Sequence, residues 1–275
     1  MIIAQISDTH IALDAPYNQS RIFDFERTIA DINALDPAPD VILHTGDIVH
    51  NGRAEEYAEA ARILGRASAP VFVIPGNKDD RTNLRTAFGA QGYIAADRAF
   101  IEYVVEDFPV RLIAVDTLHT ASKKGDFCAT RAESLVDRIE ADTTRPVAVF
   151  MHHPPFMVPV GPDPLNFETP EILENVRRTL QRSSRVIHVF SGHVHRGTAG
   201  EVGGATATVM PSVATALRWG DYPQHMKSRP VYHIHRYEPA FGPFGGFSTE
   251  SRIVEGERAG EARDARGHAE RSLSE

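Results

Sequence analysis

The sequence predicts an α/β layered fold, and three observations carry that reading. Short apolar runs rich in Val, Ile and Phe recur along the chain, helical patterns separate them, and 42% hydrophobic with 24% charged residues is ordinary for a globular domain. The runs fall at residues 2–6, 41–43, 71–74, 112–115, 147–151 and 186–190. None alternates strictly between apolar and polar residues, so each reads as a strand covered on both faces. Between them, Ile22, Phe25, Ile29 and Ile32 share one face of a helix over about residues 21–35. Residues 55–67 come after Gly52 and are dense in alanine and glutamate. Thr130-Arg131-Ala132-Glu133 has the spacing of a capping box ahead of Leu135 and Ile139. Thr169-Pro170 sets a capping residue before a proline at the first helical position.

The C-terminal third changes character. Residues 205–248 are strand-like, with Val231-Tyr232-His233-Ile234 the clearest run and Pro211, Pro223, Pro230, Pro239 and Pro243 marking loops. Pro211-Ser212-Val213 should return the chain towards the edge where the chemistry lies. Five arginines and six acids stand among the last 25 residues with few large apolar ones, which predicts a disordered polar tail. The chain therefore divides into a core over 1–200, strands over 201–250 that complete the core, pocket and an interface, and a tail over 251–275.

Composition excludes several classes of function. A chain of 275 residues buries a core without disulfides, and Cys128, its only cysteine, could form no internal one. That usage fits a reducing compartment, so the expected location is the cytoplasm. Twenty-nine basic against 37 acidic residues give a net charge of −8, which argues against a nucleic-acid polymer as partner. No apolar run approaches a membrane span, and Met1-Ile2-Ile3-Ala4 meets Gln5 and Asp8 too soon for a signal peptide, so no membrane partner is expected.

The chemistry lies just past the strand ends. The run at 2–6 leads into Ser7-Asp8-Thr9-His10, and that at 41–43 into Gly46-Asp47. The run at 71–74 leads into Gly76-Asn77-Lys78-Asp79, that at 147–151 into His152-His153-Pro154-Pro155, and that at 186–190 into Gly192-His193-Val194-His195. In an α/β sheet, ligands gather outside the carboxyl ends of the strands. Five strand ends thus deliver Asp8, His10, Asp47, Asn77, His152, His193 and His195 to one edge. Mixed carboxylate, amide and imidazole donors suit Mn, Fe, Co or Zn. Seven are too many for one ion but enough for two divalent ions if one carboxylate bridges, an arrangement that hydrolyses phosphate esters.

Asp8-x-His10, Gly46-Asp47, Gly76-Asn77, His152 and Gly192-His193-x-His195 resemble the motif series of the calcineurin-like metallophosphoesterases, in family order from residue 2 to about 196. Thr45-Gly46-Asp47-Ile48-Val49 with Gly52-Arg53-Ala54-Glu55-Glu56-Tyr57, and Met151-His152-His153-Pro154-Pro155, are similar to the bacterial class III cyclic nucleotide phosphodiesterase and glycerophosphodiesterase branch. The resemblance implies a four-layer α-β-β-α sandwich of two mixed sheets with a dinuclear site at the strand ends. It implies that Asp8, His10, Asp47 and His195 hold one ion, that Asn77, His152, His193 and again Asp47 hold the other, and that a bridging water or hydroxide attacks phosphorus. Asp79 would orient a histidine ligand from behind. Asp47, Asn77 and Lys78 are the expected catalytic residues.

Lys78 departs from the family, which has histidine at this position to touch the phosphate and assist the leaving group. A lysine supplies positive charge to the transition state but is a poor proton donor at neutral pH. Two functions are then open: a phosphodiesterase acting on cyclic nucleotides, glycerophosphodiesters or related alkyl phosphodiesters and phosphonate esters, or a metal-stabilised phosphate-binding scaffold that Lys78 has weakened as a catalyst. A nuclease is disfavoured by the acidic balance. Of the other histidines, His153 should hydrogen-bond near the site. His44, His50, His119, His188, His225, His233, His235 and His268 read as packing, turn or surface residues, with His50 and His225 nearest the pocket. Cys128 reads as a small buried hydrophobe. Trp219 and Tyr222 offer aromatic surface, and a homo-oligomer is expected.

Overall fold

A computed structural model describes residues 1–14, 18–159 and 164–255. Two mixed β-sheets pack face to face with helices outside them. The first sheet contains β1 (Ile2–Ile6), β2 (Val41–His44), β3 (Val71–Val73), β10 (Val231–Glu238) and β11 (Gly246–Ile253), in the order β11-β10-β1-β2-β3. The second contains β4 (Tyr103–Val105), β5 (Arg111–Val115), β6 (Val147–Met151), β7 (Val186–Ser191), β8 (Thr198–Val202) and β9 (Ala205–Val209), in the order β4-β5-β6-β7-β9-β8. β1, β2 and β3 run parallel, as do β5, β6, β7 and β9, so their carboxyl ends gather along one edge. The antiparallel strands β10, β11, β4 and β8 lie at the flanks.

Helices α1 (Asn18–Asn33), α2 (Ala54–Leu64) and α3 (Arg81–Phe88) belong with the first sheet, and α4 (Ala129–Glu140) and α5 (Pro170–Leu180) with the second. Phe25, Ile29 and Ile32 of α1 are buried against the apolar side chains of β1 and β2, each worth about 2 kcal/mol of transfer from water. On α5 the Thr169 hydroxyl accepts from the Ile172 N–H and Pro170 opens the first turn, as the Thr-Pro pair predicts. A short helix α6 (Gln224–Lys227) precedes β10. Residues 201–250 supply β9, β10 and most of β11 to the same two sheets.

Three sequence expectations need correction. The capping box at Thr130 is not used: α4 begins two residues earlier with Cys128 as its cap, because buried Phe127 and an Arg131–Asp126 ion pair of 2.6 Å fix the entry of the chain. Cys128 is accordingly half-buried and not a core residue. The tail boundary at 251 falls inside β11, whose Ser251, Arg252 and Ile253 pair with His233, Tyr232 and Val231, while Val254 is buried. The remainder of the expected tail, 256–275, lies outside the described residues, and so does His268. Among the described residues no helix is long and apolar enough to cross a membrane.

Candidate metal centre

All seven expected donors converge. Asp8, His10, Asp47 and His195 form one group and His152 and His193 part of another, with ligand atoms in each group within 4.8 Å of one another. In the first, His195 Nε2 lies 3.2 Å from Asp8 Oδ1 and 3.0 Å from His10 Nε2, which is 3.5 Å from Asp47 Oδ2. In the second, Asn77 Oδ1 lies 2.8 Å from His193 Nδ1 and 3.2 Å from His152 Nε2, and His152 Nε2 is 3.5 Å from Asp47 Oδ1. Donors bound to one ion at about 2.1 Å stand roughly 3.0–3.4 Å apart, so both clusters have the spacing of a coordination sphere. Asp47 turns one oxygen to each.

The backbone explains the convergence. Asp8, His10, Asp47, His193 and His195 have φ of 55°, 45°, 51°, 75° and 55°, and no other non-glycine among the described residues has positive φ. Aspartate and histidine tolerate this left-handed region better than most residues, yet it costs of order 1 kcal/mol or more at each and persists only where surroundings enforce it. Glycines allow the close approach. A β-carbon at Gly76 would collide with Asp47, and one at Gly192 with Ser7 and Asp8.

Hydrogen bonds aim the rings. The His152 Nδ1–H donates to the Thr45 carbonyl at 2.8 Å and the His195 Nδ1–H to the Leu217 carbonyl at 2.9 Å, leaving each Nε2 lone pair facing inward. His50 stacks edge-on against His10, with ring centroids 5.7 Å apart, which bears out its placement near the pocket. His225, the other expected neighbour, is exposed on α6. His153 groups spatially with His152 and His193, but both its nitrogens are engaged: Nε2–H donates to the Lys123 carbonyl at 3.0 Å and Nδ1 accepts from Thr117 Oγ1 at 2.8 Å. It has no lone pair left for a metal.

Asp79 does not orient a histidine. Its carboxylate accepts from the N–H groups of Gly76 (2.8 Å), Ile48 (3.2 Å) and Val49 (3.3 Å) and from the Tyr57 hydroxyl (2.8 Å), tying the Asp47 loop to the Asn77 loop. Pro211-Ser212-Val213 does bring the chain back to the edge, and there the Ser212 hydroxyl donates to the Asp8 carbonyl at 2.8 Å, a support whose target the sequence did not name.

Electrostatically the cluster suits a cation. Burial, and then Asp8, push Asp47 up to about 8. At Asp8 burial acts upward, but His195 and the other imidazoles outweigh it and hold the carboxyl well below its usual range. Burial keeps His10 and His152 neutral and lowers His193 to about 3, so their lone pairs stay available. Asp8 Oδ1 is buried without a hydrogen-bond partner, a state that costs roughly 1–3 kcal/mol or more unless something positive meets it. The donor set therefore fits two divalent ions.

A family model for calcineurin-like phosphoesterases matches residues 1–197. A probable glycerophosphodiester phosphodiesterase GpdQ from Arcobacter nitrofigilis is 32% identical over 200 residues, 71% of this chain and 72% of that protein. A probable cyclic nucleotide phosphodiesterase from Rhodopseudomonas palustris is 28% identical over 176 residues, 62% of each. A dimetal phosphatase from Danio rerio superposes with a TM-score of 0.68 at 15% identity, covering 92% of this chain and 98% of its own, a likeness of fold alone. With its motifs in order and their side chains gathered at one sheet edge, the chain belongs to the calcineurin-like phosphoesterase family.

Proposed function

We propose that this chain is a dinuclear metal-dependent phosphodiesterase acting on small phosphodiesters: cyclic nucleotides, glycerophosphodiesters or related alkyl phosphodiesters and phosphonate esters. The single observation that carries it is Asp47, whose two oxygens face two separate donor clusters. Asp8, His10, Asp47 and His195 would hold one ion and Asn77, His152, His193 and Asp47 the other, with Mn, Fe, Co or Zn the metals such donors favour. Two such ions supply Lewis acidity and an acidified water at the phosphoryl group.

The chain's own residues do the rest. Thr45 and Leu217 fix the tautomers of His152 and His195, so neither ring can turn its proton inward. The Lys78 N–H donates to Asp47 Oδ1 at 2.7 Å and steadies the bridge. Lys78 is half-buried, and its charge acts after burial and Arg21 in lowering the pKa of His50. A cation at this position would stabilise the charge that develops on phosphoryl oxygens. The scaffold alternative is not favoured, since the relatives carry enzyme names.

Metal analysis paired with turnover of bis(p-nitrophenyl) phosphate tests the reading. Rate should require two ions per chain, and Lys78→His should raise turnover of alkyl diesters more than of p-nitrophenyl ones. Full rate with one ion or none would sink it. The same reading has the enzyme cytoplasmic and self-associating, its exposed Trp219 (60% accessible) in the contact. Light scattering at micromolar concentration should give at least a dimer, and a chain ending at Glu255 should keep that state; a monomer would refute the assembly.

A further inference from the structure

Behind the metal cluster lies a second polar chain. Gln5 of β1 is fully buried. Its Nε2 donates to the Ser191 carbonyl at 3.0 Å and to Thr45 Oγ1 at 3.1 Å, and its Oε1 faces His235 Nε2 at 3.0 Å. A carbonyl can only accept, so the atom facing Ser191 must be the amide nitrogen. That fixes each remaining direction. His235 carries its proton on Nε2 and donates to Gln5, and its Nδ1 accepts from the Thr249 hydroxyl at 2.8 Å. Every member of the chain is satisfied, the condition under which a buried polar network specifies one arrangement.

Its placement is the informative part. Gln5 stands three residues before Asp8. Thr45 precedes Gly46-Asp47, and its carbonyl holds the His152 ring. Ser191 ends β7, immediately before Gly192-His193. One amide thus grips the roots of three ligand-bearing loops, two in the first sheet and one in the second. The two proposed ions would lie across that seam, so their separation depends on how the sheets are held together there.

We propose that Gln5, oriented by His235, is a positioning residue that sets the spacing of the two ion sites. The inference rests on the dinuclear reading above. Titration of the metal-free protein with Mn(II), monitored by electron paramagnetic resonance, reads ion number, affinity and magnetic coupling independently of turnover. The wild type should take two coupled ions. Gln5→Leu and the near-isosteric Thr45→Val should bind the second ion about tenfold more weakly, with altered coupling. For bis(p-nitrophenyl) phosphate, kcat should fall about tenfold while KM stays within about twofold. His235→Leu should match Gln5→Leu, whereas His235→Gln, which keeps an N–H toward Gln5, should restore wild-type coupling. Val176→Ala, a core truncation on α5, should lower stability and leave the spectrum unchanged. Two ions bound by Gln5→Leu and Thr45→Val with wild-type affinity and coupling would overturn the positioning role alone. A wild type that takes only one ion would overturn the dinuclear reading and this inference with it. Should Gln5→Leu fail to fold, Thr45→Val carries the test.

Discussion

The molecule holds two clusters of histidines, and they are built in opposite ways. At the sheet edge, His10, His193 and His195 sit on left-handed backbone, the first and last with ring nitrogens turned toward carboxylates and each other and His193 toward the Asn77 amide oxygen. Between the sheets, His188, His233 and His235 sit on the regular strands β7 and β10, packed among Phe190, Phe247 and each other. His188 Nε2 pairs with Thr208 Oγ1 at 2.9 Å, and His235 is engaged at both nitrogens. Burial keeps most rings of both groups neutral. The exception is His195, where burial acts downward but the Asp8 carboxylate outweighs it and raises the pKa. The lesson is that a buried neutral imidazole is not in itself a metal site. What marks one is strained backbone that aims ring nitrogens at buried carboxylates.

That contrast predicts different failures. The largest expected effect is at the edge: His195→Ala should cost more than about a hundredfold in kcat/KM, beyond what loss of an orienting residue costs, while weakening one ion much more than the other. Its melting temperature without metal should fall, because alanine tolerates the φ of 55° at this position less well than histidine and Asp8 loses a partner at 3.2 Å. A variant that keeps both ions would remove His195 from the ligand set.

The inner cluster should show itself through acid. His188 and His233 have pKa values lowered by burial to about 3 and about 4, against about 6.5 in the unfolded chain. The unfolded state therefore binds more protons below pH 6.5. Stability is complete above that pH and is lost as pH falls toward 4, by roughly 2 kcal/mol for each ring at pH 5. Melting of the metal-free protein from pH 7 to pH 5 should show the slope, and His233→Leu should flatten it. An unchanged slope would place the titrating groups elsewhere.

Much of the edge was legible in the sequence, and the reason is local. Asp8, Asp47, Asn77, His152 and His193 each stand within a few residues of a strand end, and parallel strands bring such ends together. Their supports were less legible. The Thr45 and Leu217 carbonyls that fix the ring tautomers are backbone groups, which any residue type could supply. Asp79 shared the spacing of a ligand-orienting acid, yet two N–H donors of the Asp47 loop, the Gly76 N–H and the Tyr57 hydroxyl are closer to hand. Gln5 and His235 are 230 residues apart, and nothing within either segment announces that β10 lies beside β1.

The bridge is the central claim, and metal content per chain after equilibration with Mn(II) tests it most directly in Asp47→Ala. This one substitution should empty both sites and abolish turnover, whereas His195→Ala should keep the ion that Asn77, His152 and His193 would hold. An Asp47→Ala protein that folds and still retains one tightly held ion would show that the two clusters do not share Asp47, and would contradict the account.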